Sequence, residues 1–136
     1  MIISIDHGNK QIKTLNRTFT SGLLERDSKP AFGEDILCYE GKYYTLSEER
    51  IPYMRDKSKD NRFFILTLFA IAYEIEAAGK YTANGTLDIK LNVGLPPSHY
   101  SGLYEKYEDY FRGPHRPISF TFREKPYSIF ISEVNS

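Results

Sequence analysis

Ile3-Ser4-Ile5-Asp6-His7-Gly8-Asn9-Lys10-Gln11-Ile12-Lys13-Thr14 is the stretch from which the rest of the chain can be read. Residues 2–6 form a short apolar strand, and Asp6-His7-Gly8-Asn9 is a turn with a glycine where positive φ is easily adopted. Gln11 to Leu15 then returns antiparallel. An aspartate at the tip of a first strand can hold a hydrated Mg²⁺, because hard cations take carboxylate and water oxygens. Gly8 and Asn9 in a tight turn offer backbone N–H groups to phosphate oxygens. Lys13, on the second strand beside the turn, supplies a point charge for the β/γ-phosphates. The same residues are also ordinary hairpin chemistry, so spacing alone leaves both readings open. His7 reads as a solvated turn histidine and is given no role.

Working outward, a third strand is expected around Arg17 to Leu23, then a polar loop over 25–34 with Pro30 and Gly33. A hairpin follows, Asp35 to Tyr39 and Tyr43 to Leu46, around Glu40-Gly41-Lys42. Ser47 to Arg62 is highly charged, is interrupted by Pro52, and reads as a solvated surface arm. A helix from about Asp60 to Ala78 ends before Gly79. Between Phe63 and Tyr73 it is apolar on nearly every face, so it must be covered by a sheet and by something else. That apolar run is far shorter than the roughly 20 residues of a membrane span. Leu87 to Val93 alternates strictly, the mark of a strand, and Gly94-Leu95-Pro96-Pro97 stops it. Ser98 caps a second helix whose Tyr100, Leu103, Tyr104, Tyr107, Tyr110 and Phe111 share one face. Two last strands, Ile118 to Phe122 and Tyr127 to Val134, are joined by Glu124-Lys125-Pro126. This order gives a mixed sheet with helices packed on it.

The 136 residues are one domain's worth. Lys plus Arg and Asp plus Glu are both 18, so the net charge is zero, which argues against direct binding of nucleic acid or an anionic membrane. Cys38 is the one cysteine, pointing to a reducing, cytoplasmic setting, and the N-terminal residues turn acidic too soon for a signal peptide. His7, His99 and His115 are scattered and make no metal-ligand cluster. The tyrosines read as half-buried surface rather than a recognition site. The carboxylate pairs Glu48/Glu49 and Glu108/Asp109 read as solvated charge. The basic run Arg55, Lys57, Lys59 and Arg62 is diluted by Asp56 and Asp60, a poor signal for DNA.

The opening stretch resembles the first phosphate motif of the actin, sugar kinase and heat-shock chaperone ATPase superfamily. More closely, the chain resembles the plasmid-segregating bacterial actins of the ParM type. Four further segments agree in order: Thr20-Ser21-Gly22-Leu23; Tyr39-Glu40-Gly41-Lys42-Tyr43-Tyr44; Leu66-Thr67-Leu68-Phe69-Ala70-Ile71-Ala72; and Val93-Gly94-Leu95-Pro96-Pro97 with His99-Tyr100.

This resemblance implies an actin-like, ribonuclease H-like α/β domain, with a mixed sheet of five-stranded type and an inserted β-hairpin arm. Residues 1–136 would be one N-terminal domain with a small inserted subdomain at about 24–58, the C-terminal half of the family fold being absent from this sequence. The resemblance further implies a filament-forming ATPase that binds ATP (or GTP) with Mg²⁺ in an interdomain cleft. Such a protein segregates plasmid DNA through an adaptor, without direct nucleic-acid or membrane contact. Asp6 would serve the Mg²⁺, Gly8 and Asn9 the phosphates, and Lys13 their charge. With half of that site present, the chain alone is expected to be inactive as an ATPase. The alternatives are a truncated actin-like module that binds or caps filaments without nucleotide, and a kinase-like enzyme of the same fold.

Overall fold

The computed structural model describes residues 1–30, 35–53, 56–94 and 104–135. The expected Ser98 cap, the Leu95-Pro96-Pro97 stop, Tyr100, Leu103, Gly33 and Arg55 lie outside the described residues. The strands are β1 (Ile2–His7), β2 (Gln11–Lys13), β3 (Thr18–Thr20), β4 (Leu23–Arg26), β5 (Ile36–Tyr39), β6 (Lys42–Leu46), β7 (Leu87–Gly94), β8 (Ile118–Phe122) and β9 (Lys125–Asn135). The helices are α1 (Arg62–Ala77) and α2 (Tyr104–Arg112), with a 3-10 turn at Lys57–Lys59.

All nine strands described join one sheet in the order β3-β2-β1-β7-β9-β8-β5-β6-β4. The first five form the expected mixed sheet: β1, β7 and β9 run parallel, β2 is antiparallel to β1, and β3 is antiparallel to β2. Beyond them the sheet continues. Leu37 pairs with Phe122 and Cys38 with Thr121, so the hairpin expected as an inserted arm extends the main sheet.

The third strand expected over Arg17–Leu23 is split instead. Only Ser21 and Gly22 separate β3 from β4, yet these strands are the two edges of the sheet. Eight gaps of about 4.8 Å would hold the edges of a flat sheet roughly 38 Å apart. The three virtual bonds from Thr20 to Leu23 span at most about 11 Å. The sheet therefore curls until its edges nearly meet, without closing. Ser47 N–H donates to Gly22 O and Ile51 N–H to Ser21 O across that junction.

The concave side of the curl holds α1, which explains a helix apolar on nearly every face: each residue from Phe63 to Ile75 is buried. Phe69 and Tyr73 meet Phe122 edge-on at 5.8 and 5.3 Å, while Phe19 approaches Tyr73 from the opposite edge of the sheet at 5.7 Å. The tyrosines of α2 finish the job. The Tyr110 hydroxyl donates to Asp60 O and accepts from Phe64 N–H, satisfying one of the orphan donors at the start of α1.

Two further expectations are corrected. The charged stretch 47–62 is not a solvated arm, since Ile51 and Lys57 are 5% and 3% exposed. The last hairpin turns at Arg123-Glu124, both with positive φ, and Pro126 lies within β9 opposite Thr121. No helix among the described residues is long and apolar enough to cross a membrane.

Candidate nucleotide-phosphate site

Asp6 stands near the C-terminal end of β1 and is paired in register with Lys13 of β2 on one side and Gly94 of β7 on the other. Cross-strand partners point to the same face of a sheet, and here that face is open. Asp6, Lys13 and Gly94 are exposed and line a hollow of about 720 Å³, shared with Ser4, Asn92 and Thr14. Gly94 leaves the space beside Asp6 free, since a Cβ there would sit 3.7 Å from the Asp6 carboxylate. The spacing that left two readings open thus brings the proposed Mg²⁺ carboxylate and phosphate ammonium onto neighbouring strands.

Gly8 and Asn9 fall in the connecting turn. The Gly8 N–H donates to Gln11 O at 3.0 Å, and a Cβ on Gly8 would meet that same oxygen at 2.7 Å. Gly8 is therefore required for the close approach of the two strands, and its own N–H is engaged within the hairpin. Among the described residues the Asn9 and Lys10 N–H groups take no hydrogen bond, so these are the donors the turn presents. The turn is braced from behind by fully buried Ser21, whose hydroxyl donates to Gly8 O at 2.7 Å and whose N–H donates to Lys10 O.

His7 does not behave as a solvated turn residue. It is 3% exposed, stacks on Phe111 at 4.3 Å, and shares a 2.8 Å hydrogen bond with Thr67. The Thr67 hydroxyl proton is directed at Phe63 O, so His7 Nε2–H is the donor to Thr67 and Nδ1 carries the lone pair. Burial, with the nearby charge of Lys57, holds the imidazole down at about 3 and keeps it neutral. The alternation of β1 decides this: with Ile3 and Ile5 facing the core, His7 must face it too.

Lys57, part of the diluted basic run, is 3% exposed, with Nζ 5.6 Å from the centroid of the Phe63 ring. Its N–H donates to the Tyr107 hydroxyl at 3.1 Å. Burial pushes its ammonium below the ordinary lysine range, with the Asp6 carboxylate pulling the other way. Nothing in the local sequence signals this burial.

The donor set can be tested against the groups the resemblance implied. Among the described residues no three His, Cys, Asp or Glu side chains gather to hold a metal. A lone exposed carboxylate fits a Mg²⁺ that keeps most of its waters. Free N–H groups in a turn, with a lysine on the adjacent strand, fit phosphate oxygens.

Residues 4–136 match the family described as the N-terminal domain of actin-like proteins. No protein of curated function matches the sequence. Among solved structures, the AlfA filament bound to AMPPNP superposes with a TM-score of 0.73 at 14% identity, covering 99% of this chain and 53% of that one. The apo psk41 ParM protein gives 0.72 at 11% identity, covering 98% and 48%. The Bacillus thuringiensis ParM with ATP gives 0.59 at 14%, covering 98% and 43%. These likenesses establish the fold, and the chain spans about half the length of the structures it resembles.

Proposed function

The chain belongs to the actin-like proteins, whose N-terminal domain it represents, and from that premise we propose that it forms one wall of the Mg-ATP cleft of a filament-forming ATPase. The observation that carries the reading is the register Asp6↔Lys13 beside a turn with two undirected N–H groups. In this reading Lys13 and the Asn9 and Lys10 N–H groups bind and orient the phosphates. Asp6 orients the waters of a Mg²⁺, which when bound offsets the phosphate charge. Gly8 and Ser21 hold the turn in shape. Membership of the family, and the AlfA filament among the structures it resembles, support assembly into filaments. The proposed use is the segregation of plasmid DNA through an adaptor protein in the cytoplasm, for which the balanced charge of the chain is suited.

Calorimetric titration of the protein with ATP, with and without Mg²⁺, tests this. Lys13→Ala should lose about 1.5–3 kcal/mol of binding, roughly ten- to a hundredfold. Asp6→Ala should lose the Mg²⁺ dependence more than the nucleotide. Both side chains serve an open face, so stability should stay within about 0.5 kcal/mol of wild type. A Lys13→Ala protein that binds ATP normally but melts lower would reduce the site to an ordinary hairpin. No binding by wild type would leave the nucleotide-independent module.

A further inference from the structure

The first strand is only half covered on its outer side. β2 pairs with β1 at Asp6 and His7 alone, so among the described residues Ile2 to Ile5 have no strand beside them there. The main-chain groups of successive strand residues point to opposite sides. Met1 O accepts the Lys90 N–H, so the odd residues of β1 bond to β7. Gly8 N–H donates to Gln11 O, so the even residues address β2. The N–H and C=O groups of Ile2 and Ser4 therefore face the uncovered side, where no described residue bonds them.

This gap is built rather than frayed. Thr14 N–H donates to Arg17 O, which turns the chain away from β1 directly after Lys13. Glu74 of α1, only 5% exposed, holds that turn in place. Its two carboxylate oxygens accept from the Thr14 hydroxyl and the Asn16 amide, each at 3.1 Å. The gap is the end of the open hollow away from the phosphate turn, since Ile2 lies four residues, about 13 Å, from Asp6. Leu15 and Ile2 flank it, 89% and 68% exposed, so apolar surface and unpaired main chain are offered together.

We propose that this edge of β1 is a docking site for one extended segment of a partner protein. The segment adds as a short strand beside Ile2–Ile5 and lays an apolar side chain against Leu15 and Ile2. Unpaired main-chain groups along a strand are met by another extended main chain, and the flanking side chains select its sequence. A second copy of this chain is a poor occupant. The outer edges of its sheet, β3 and β4, curl toward each other, and its own β1 edge is recessed behind β2 and the Thr14–Arg17 turn. A gap one strand wide admits a flexible segment instead. The segment and a phosphate group occupy opposite ends of the hollow, so the docking holds whether or not the site binds nucleotide.

Amide hydrogen exchange read by NMR tests this, on the protein alone and with short capped peptides that alternate Thr with Val or Leu. In the free protein the Ile3 and Ile5 amides should be protected and the Ser4 amide should exchange freely. A peptide of the alternating pattern should protect Ser4. N-methylation of the peptide's bonding N–H, or Leu15→Asp in the protein, should weaken binding at least about tenfold. Ser4→Pro removes only an N–H that faces the gap, so it should fold and lose the peptide, whereas Ile5→Pro breaks the pairing with β7. A Ser4 amide protected at every protein concentration means that the chain closes its own edge. Protection that fades on dilution means that a second copy fills it. Failure of every peptide to bind, or equal binding of the N-methylated ones, means that no strand docks. Each of these three results overturns the proposal.

Discussion

Gly22 shows how a single missing side chain decides the course of the chain. A Cβ there would lie 2.2 Å from Ser47 O and 2.4 Å from Glu49 O, both of them backbone atoms that cannot swing aside. The glycine lets residues 47–49 cross directly behind the link between β3 and β4, where Ser47 N–H bonds Gly22 O. Gly22→Ala should therefore destabilise the protein by about 3 kcal/mol, through forced separation of two backbone segments. Urea denaturation measures this, and a loss within about 0.5 kcal/mol would mean that the crossing relaxes easily. Ser21 next to it acts on the site instead. Ser21→Ala removes the hydroxyl that holds Gly8 O, at a cost of about 1 kcal/mol.

At the scale of elements, the curl of the sheet is fastened where its two ends meet α1. Arg17, just before β3, lies 3.8 Å over the Tyr73 ring, and its guanidinium is 3.9 Å from Asp35, just before β5. Asp35 also accepts from Tyr73 Oη and from Arg123 Nε, each at 2.6 Å. Arg123 and Lys125 in turn pair with Glu76. This anchoring explains why the β8–β9 turn falls on Arg123-Glu124, where positive φ would ordinarily favour Asn-Gly. Burial would raise the Asp35 carboxyl, but its bonds to Arg123 and Tyr73, with the charge of Arg17, hold it below the ordinary range. Its contribution to stability is thus present above about pH 4, the ordinary carboxylate value, and is lost as pH falls through the lowered folded value. In that interval the unfolded chain takes up the proton first. Asp35→Asn should be less stable at neutral pH and lose less on acidification. Denaturant midpoints from pH 7 to pH 3 check the sign, and parallel curves for the two proteins would show that the latch contributes nothing.

For the whole molecule, the site is one-sided. Asp6, Lys13 and the turn occupy an open sheet face, and the similar solved structures are about twice as long as this chain. Catalysis of phosphoryl transfer depends on positioning the phosphates and the attacking water together, and a single wall supplies contacts from one direction only. The 136-residue chain should hydrolyse ATP no faster than buffer in a phosphate-release assay. Turnover that scales with protein and disappears in Asp6→Ala would show that this wall suffices.

Local pattern made much of this protein legible in its sequence. The β1–β2 hairpin, the strict alternation of Leu87–Val93, the limits of α1 and the Asp6–Lys13 pairing all rest on contacts between residues close in the chain or on a fixed period. The need to cover α1 by a sheet and by something else was legible too. What covers it was decided by tertiary structure, because periodicity tells which residues face inward and not which strand lies beside which. The pairing of β5 with β8 joins residues more than 80 apart, and the split at Ser21-Gly22 follows from a backbone crossing that only the curled sheet creates. Lys57 belongs to the same class. Its sequence neighbours are charged and polar, and it is buried because Tyr107 and Phe63, from two separate helices, close around it.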